Sequence, residues 1–196
     1  MTTMTTVMSP ARYAQGLSYK EFLAQAKVNL DRFEQYYQTA NVGPDDAAFF
    51  KKVVKMPNGA PKMAVLAEDW CPDVFRGLPQ LAKIAEVSGM EMKVFPRDAN
   101  LDLMNEFLNK GEFQSIPTVM FYTADMKYLG HWIERAALAY AEQARAREQV
   151  AAEMPDAPPA DRNRETGRLT LPRWPAWQQA QVTELRQLLQ KALGTY

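Results

Sequence analysis

The residue of this chain best suited to chemistry is Cys71, its single cysteine, which stands in the stretch WCPD at residues 70–73. A cysteine at the start of a helix faces unpaired backbone N–H groups and the positive end of the helix dipole, and both lower the pKa of its thiol. The nearby carboxylates of Asp69 and Asp73 would raise that pKa, whereas Arg76 on the next turn would lower it. The sequence does not decide whether the pKa of the thiol is raised or lowered overall, so Cys71 is either a reactive nucleophile or an idle residue at a turn.

Position 74 limits which part of thiol chemistry the chain can perform. In a C-x-x-C pair, the first thiol attacks a disulfide and the second releases the partner from the mixed disulfide. Here Val74 stands where the second cysteine would be. The chain can therefore form a mixed disulfide on Cys71 but carries no thiol of its own to resolve it.

Other residue types that perform catalysis or bind metals are sparse. His131 is the only histidine, and it falls on a predicted strand far along the chain from Cys71. We therefore do not expect it to act as a general base, since a base must reach its proton. One cysteine and one histidine do not form a zinc site, and no glycine cluster cradles a phosphate. We expect no metal and no bound cofactor.

The composition excludes several classes of partner. Of 196 residues, 47% are hydrophobic, and 23 basic residues balance 23 acidic ones, so no charge excess favours nucleic acid or an anionic membrane. No apolar run approaches the roughly 20 residues needed to span a bilayer. Because there is one cysteine and no signal-peptide pattern at the start, we expect the protein in the cytoplasm.

The elements that must position Cys71 form a strand–helix–strand unit followed by a hairpin. Apolar spacing, β-rich runs and turn residues predict strands at 62–68, 91–98, 117–123 and 128–134. They predict helices at about 18–40, 45–55, 72–88, 100–111 and 134–153, and a last helix from Pro175. The crossover from the first strand to the second is long enough for a parallel, right-handed connection.

The same patterns divide the chain into three parts. Residues 1–17 show no periodicity and are expected to form a flexible tail, while residues 18–153 form one domain with its N-terminal helices. Residues 154–196 are expected to be a Pro-rich, charged linker and a C-terminal helix. Because the last helix carries an apolar stripe, we expect it to pack back on the domain.

Two short segments of the chain resemble motifs of a known protein family. WCPD at 70–73 resembles the Trp-Cys-x-x active-site turn of thioredoxins, and SIPTVMFY at 115–122 resembles the segment that carries their cis-proline. Together with EDWCPD, RDANLDLMNEFL and LGHWIERAA, they resemble a bacterial thioredoxin-like family with a W-C-P-D-C motif and a C-terminal helical extension. The resemblance runs from about residue 18 to the end and departs from the family at Val74.

The resemblance implies a fold and a set of site residues. The expected fold is α/β and thioredoxin-like, with a central four-stranded mixed sheet flanked by helices, additional N-terminal helices and a C-terminal helical extension. It implies a cis peptide bond at Pro117, and a substrate surface formed by Trp70, Pro72, Ile116 and Pro117 beside the catalytic Cys71. The acidic residue that thioredoxins bury before the motif has no counterpart here, because MAVLA is apolar.

Two functions from different classes remain compatible with these residues. The first is monothiol thiol–disulfide exchange on a protein or small-molecule disulfide, in which an external thiol such as glutathione or bacillithiol acts as co-substrate; lasting capture of a partner, or redox sensing through a sulfenic acid, are variants of it. The second is a redox-inactive binding or scaffold module that uses the cis-proline groove. Either function is compatible with a monomer or a homodimer.

Overall fold

The computed structural model describes residues 7–195, in which a four-stranded mixed sheet has the order β2-β1-β3-β4. Its strands are β1 (Lys62–Ala67), β2 (Glu91–Pro96), β3 (Thr118–Tyr122) and β4 (Tyr128–Ile133). β1 pairs in parallel with β2 and antiparallel with β3, and β3 pairs antiparallel with β4. The predicted α/β class, the four strands and their mixed pairing are confirmed.

Helices surround this sheet. They are α1 (Pro10–Ala14), α2 (Tyr19–Gln25), α3 (Leu30–Thr39), α4 (Pro44–Lys55), α5 (Pro72–Ser88), α6 (Leu101–Met104), α7 (Ala137–Glu153), α8 (Pro159–Thr170) and α9 (Trp174–Leu193), with short 3-10 turns at Arg97–Ala99 and Leu171–Arg173. The central strand β1 is buried from Met63 to Ala67, because α5 and its neighbours cover the sheet. No helix in the described part of the chain is long and apolar enough to cross a membrane.

The helix predicted over 18–40 is two helices, because the side chain of Asp69 stabilises a break between them. α2 ends at Gln25, and Asn29 has a left-handed backbone (φ 59°) before α3 begins. The Asp69 carboxylate accepts hydrogen bonds from the backbone N–H groups of Lys27 (2.6 Å) and Val28 (3.3 Å). Sequence periodicity alone does not reveal this partner, which lies about forty residues away in the chain.

The tail predicted at residues 1–17 is ordered structure from residue 7 onward, and residues 1–6 lie outside the described residues. α1 begins at the N-cap Ser9, and Tyr13 is buried. The Tyr13 hydroxyl donates to the Glu91 carbonyl (2.7 Å), and Leu17 exchanges two backbone hydrogen bonds with Val94 of β2. A helix of five residues is too short to show periodicity, so sequence patterns do not predict this contact.

Two further predicted segments differ from the structure. The helix expected over 100–111 ends at Met104, and the chain continues in turns through Lys110 (φ 56°) and Gly111 (φ 75°), with Asn109 bridged to Phe113. The linker expected after residue 153 contains α8, which packs against α7. α8 is strongly polar and buries small residues such as Thr166, so it lacks the apolar spacing that predicts a helix.

α9 packs on the domain, against β4, α5 and α4. Its Arg186 pairs with Asp46 of α4 (2.9 Å), and Leu185 is fully buried. α9 approaches the sheet closely, since a Cβ atom at Gly130 of β4 would lie 2.9 Å from the Leu188 side chain of α9. α9 is therefore part of the hydrophobic core.

Shortening a buried side chain on α9 is expected to destabilise the whole domain. Leu185→Ala removes buried methyl groups and leaves a cavity, so the free energy of unfolding should fall by about 2–5 kcal/mol. Leu171→Ala, at a position that is half exposed, should change it by about 0.5 kcal/mol or less. Urea unfolding followed by circular dichroism measures both, and equal effects would show that α9 is not part of the cooperative core.

Candidate functional site

Cys71 lies between the end of β1 and the start of α5, where it is the N-cap residue. Pro72 occupies the first helical position, where its missing N–H needs no partner, and the Cys71 carbonyl accepts from Val74 and Phe75 (both 3.1 Å). The sulfur is buried and lies 3.7 Å from the Ile116 carbonyl oxygen, to which a protonated thiol can donate. Val74, at the position of a resolving cysteine, is fully buried in the core.

The segment facing the thiol holds the Ile116–Pro117 peptide bond in the cis form. Both residues are buried, and β3 begins directly after them at Thr118. The Thr118 hydroxyl donates to the Ser115 carbonyl (2.8 Å), and the Pro117 carbonyl accepts from the Glu134 N–H (2.8 Å). The structure thus brings Cys71, Ile116 and Pro117 together.

A largely buried group of charges adjoins the thiol. Asp73, in the first turn of α5, accepts two hydrogen bonds from the Arg135 guanidinium, at 2.8 Å and 2.6 Å. Arg135 also contacts the Glu134 carboxylate at 3.0 Å. Burial would lower the pKa of Arg135, but the hydrogen bonds and charge of Asp73 raise it, so the guanidinium stays charged. Glu134 and Arg135 follow β4 and were not recognised from the sequence, which offers no signal that links them to residue 73.

The surroundings raise the pKa of the Cys71 thiol. Burial is the largest cause, and the negative charges of Asp73 and Glu134 add to it. Hydrogen bonds from the backbone of Val74 and Asp73 oppose the shift, as expected at a helix N-terminus, without reversing it. Near neutral pH the sulfur is therefore present mainly as the neutral thiol.

Two of the three residues predicted to modulate that pKa are engaged elsewhere. Asp69 caps the break between α2 and α3 rather than facing the sulfur. Arg76 lies over the Trp174 ring, with 4.2 Å between its Cζ atom and the ring centroid. Asp73 alone acts as predicted, by raising the pKa of Cys71.

Trp70 lies on the surface beside the thiol. Its side chain is 48% exposed, and the Arg97 guanidinium lies 5.0 Å from its ring centroid. It forms one wall of a shallow pocket together with Phe22 and Lys27. Pro72 is exposed as well, so these two predicted substrate-binding residues are accessible beside a buried sulfur.

His131 lies in the middle of β4, opposite Met120, and is not part of this group. Its Nδ1 atom shares a hydrogen bond with the Tyr128 hydroxyl, and its ring packs on Phe107. Burial lowers the pKa of His131, so it is neutral at pH 7. Within residues 7–195, no three histidine, cysteine or carboxylate side chains come together as metal ligands.

α9 reaches the site, which the sequence did not indicate. A Cβ atom at Gly77 of α5 would lie 3.4 Å from Gln181 Nε2 and 3.6 Å from Pro117 Cγ, so Gly77 separates α9 from the cis-proline. The Gln178 amide donates to the Arg76 carbonyl (3.2 Å). The C-terminal extension therefore forms one wall of the region around the thiol.

The comparison with known families agrees with this geometry: the sequence profile of a family described as thioredoxin matches residues 16–147. The chain belongs to the thioredoxin family. Its four-stranded sheet, the thiol after β1 and the residues before β3 all fall within the matched range.

Solved structures share the fold of this thioredoxin-family chain at low sequence identity. A protein of unknown function from Pseudomonas aeruginosa is 16% identical, with a TM-score of 0.66, and the match covers 94% of this chain and 99% of that one. An HIV epitope-scaffold is 15% identical, with a TM-score of 0.64 and the same two coverages. No curated protein matches the chain. Because the likeness covers 94% of the chain, it extends beyond the family range into the C-terminal helices.

The ion pair between Asp73 and Arg135 is expected to contribute strongly to stability. Asp73→Asn leaves the Arg135 charge buried with only Glu134 as an acidic neighbour, so the free energy of unfolding should fall by about 3 kcal/mol. Asp161→Asn, in an exposed pair with Arg164, should change it little. Urea unfolding of both variants measures the difference, and a stable Asp73→Asn protein would contradict the assigned role.

The same substitution is expected to lower the pKa of Cys71. Asp73→Asn removes a negative charge that disfavours the thiolate, so alkylation should reach its half-maximal rate at a lower pH than in the wild type. Asp69→Asn serves as the matched control, because that carboxylate is turned toward residues 27 and 28, and its profile should overlay the wild type. Iodoacetamide alkylation rates measured from pH 6 to 10 provide the test.

Proposed function

We propose that this thioredoxin-family protein binds an extended polypeptide segment in the groove between the Cys71 turn and cis-Pro117, with Cys71 acting as a neutral thiol. The observation that carries the proposal is the buried sulfur, which lies 3.7 Å from the Ile116 carbonyl oxygen and whose pKa is raised by burial and by the charges of Asp73 and Glu134. A thiol in such surroundings is a poor nucleophile near pH 7, because the thiolate is the attacking species.

In this proposal, the partner segment pairs in strand fashion with the backbone of Ile116. Ile116 precedes β3, and its N–H donates to no acceptor in the described part of the chain. Its carbonyl accepts only the weak S–H donor of Cys71. A partner's extended backbone can pair with both groups, and this mode of binding does not require a second cysteine.

Exposed apolar side chains beside the groove support a polypeptide partner. Trp70, Val28 and Leu30 are each between 45% and 48% exposed, and the contact of Asp69 with the backbone of residues 27 and 28 holds their segment beside Trp70. Aromatic and aliphatic side chains at the rim of a groove favour a protein segment over a small polar molecule.

Monothiol thiol–disulfide exchange remains the second candidate, and one observation favours it. Cys71 is the N-cap of a 17-residue helix, and backbone hydrogen bonds from Val74 and Asp73 stabilise its thiolate. In this candidate, the Cys71 thiolate attacks a disulfide of the substrate, one sulfur leaves as a thiol, and an external thiol such as glutathione then attacks the mixed disulfide and frees Cys71. The protein binds no cofactor of its own in either candidate.

A reduction assay on insulin, with dithiothreitol as the electron donor, separates the two candidates. We expect the wild type to reduce insulin no faster than Cys71→Ser, because Cys71 is mainly protonated and has no resolving partner. We expect Val74→Cys to accelerate the reaction at least tenfold, because it restores a C-x-x-C pair in a groove that accepts a polypeptide. Val150→Cys, a second cysteine at a buried valine of α7, is the matched control and should remain at the wild-type rate.

Two other results of this assay would overturn the proposal. A wild type that exceeds Cys71→Ser when glutathione is added supports monothiol exchange and overturns the neutral-thiol proposal. A folded Val74→Cys variant that stays at the wild-type rate indicates that the groove does not admit a polypeptide, which overturns the binding proposal.

A further inference from the structure

A small cavity lies between α5 and α9, beside the turn that follows β4. We call it the α5–α9 cavity; its volume is about 20 Å³, and the side chains that matter for its chemistry are those of Asp73, Arg76, Glu134, Arg135, Trp174 and Gln181. A space of this size holds about one water-sized atom, since a water needs roughly 10–15 Å³. It is separate from the shallow pocket beside Trp70.

Three side chains that line this cavity carry a buried hydrogen-bond donor without an acceptor. The atoms are Arg76 Nε, Trp174 Nε1 and Gln181 Nε2. Trp174 and Gln181 are more than nine-tenths buried, with 7% and 3% exposure. Buried donors are normally paired, because an unpaired one costs about 1–3 kcal/mol, so three of them at one cavity indicate a missing acceptor.

Arg76 is also the charge in this cavity that lacks an opposite partner. Its guanidinium lies 4.2 Å from the Trp174 ring centroid and 5.3 Å from that of Phe75, and it forms no ion pair within residues 7–195. The contact of Gln178 with its backbone carbonyl ties this turn of α5 to α9. An arginine stacked on aromatic rings presents its N–H edge in a fixed direction, which suits a carboxylate.

The two carboxylates in the cavity wall are already paired with Arg135. Asp73 accepts both of its close hydrogen bonds from Arg135, and Glu134 contacts the same guanidinium. These two carboxylates are therefore not the acceptors of the three unpaired donors. Their charges weaken the attraction for an anion, so we expect millimolar rather than micromolar affinity for a small carboxylate.

We propose that the α5–α9 cavity binds a carboxylate, with Arg76 as the charged donor and the Trp174 and Gln181 N–H groups as neutral donors. The cavity is partly open to solvent and has room for one oxygen atom, so the rest of the ligand must extend out of it. The carboxylate belongs either to a small organic acid or to an acidic residue of a polypeptide. The inference does not depend on the chemistry of Cys71.

The test follows the indole N–H signal of Trp174 by ¹⁵N NMR in the full chain, assigned by its loss in Trp174→Phe. Titration with sodium acetate at constant ionic strength should shift this signal along a saturable curve, whereas acetamide, the neutral analogue, should not. Arg76→Gln should weaken acetate binding at least about tenfold, because a charge-assisted hydrogen bond is lost. Arg97→Gln is the matched control, since Arg97 also lies over a tryptophan ring but is paired with Asp98.

A blocked tetrapeptide with one aspartate, compared with its asparagine counterpart, distinguishes the two sources of the carboxylate. Tighter binding of the aspartate peptide than of acetate assigns the site to a polypeptide, and weaker binding assigns it to a small acid. If Arg76→Gln does not fold, Gln181→Leu replaces it, and acetate binding should weaken at least threefold. A linear shift, an equal response to acetamide, or unchanged binding in these variants overturns the proposal and leaves a buried water as the acceptor.

Discussion

The ion pair between Asp73 and Arg135 is the contact on which the arrangement of the site depends. It joins the first turn of α5 to the turn after β4 across 62 residues of sequence. Two parallel hydrogen bonds to a largely buried carboxylate fix the position of both elements, and the Glu134 N–H then reaches the Pro117 carbonyl from the same turn. The geometry between thiol and cis-proline therefore rests on an ion pair that joins the two elements carrying them.

Burial of the sulfur and the nearby carboxylates explain why a place at a helix N-terminus does not make Cys71 reactive. The N-terminus favours a thiolate, but burial, which is the largest effect, and the negative charges of Asp73 and Glu134 raise the pKa of the thiol. The net result is a protonated sulfur whose hydrogen bond ends on the chain's own backbone.

Local patterns were sufficient to predict the four strands and the helix after Pro72, because these depend on neighbours in sequence. The resemblance of WCPD and SIPTVMFY to thioredoxin segments implied the cis-proline, and the structure has that cis bond beside Cys71. The remaining features depend on distant partners. Asp69 creates the break before α3 through residues 27 and 28, Arg135 meets Asp73, and α8 folds on small residues that give no apolar period. Patterns read along the sequence cannot reveal contacts of this kind.

The position of α9 affects how the protein is made. α9 is the last of the described helices, yet it covers β4 and α5 and contributes Leu185 and Val182 to the core. During synthesis, the sheet emerges from the ribosome well before the helix that covers it, so its apolar surface stays open until α9 has emerged. Nascent chains that lack α9 should therefore depend on chaperones, and synthesis that stops before α9 should yield an aggregating product rather than a smaller stable domain.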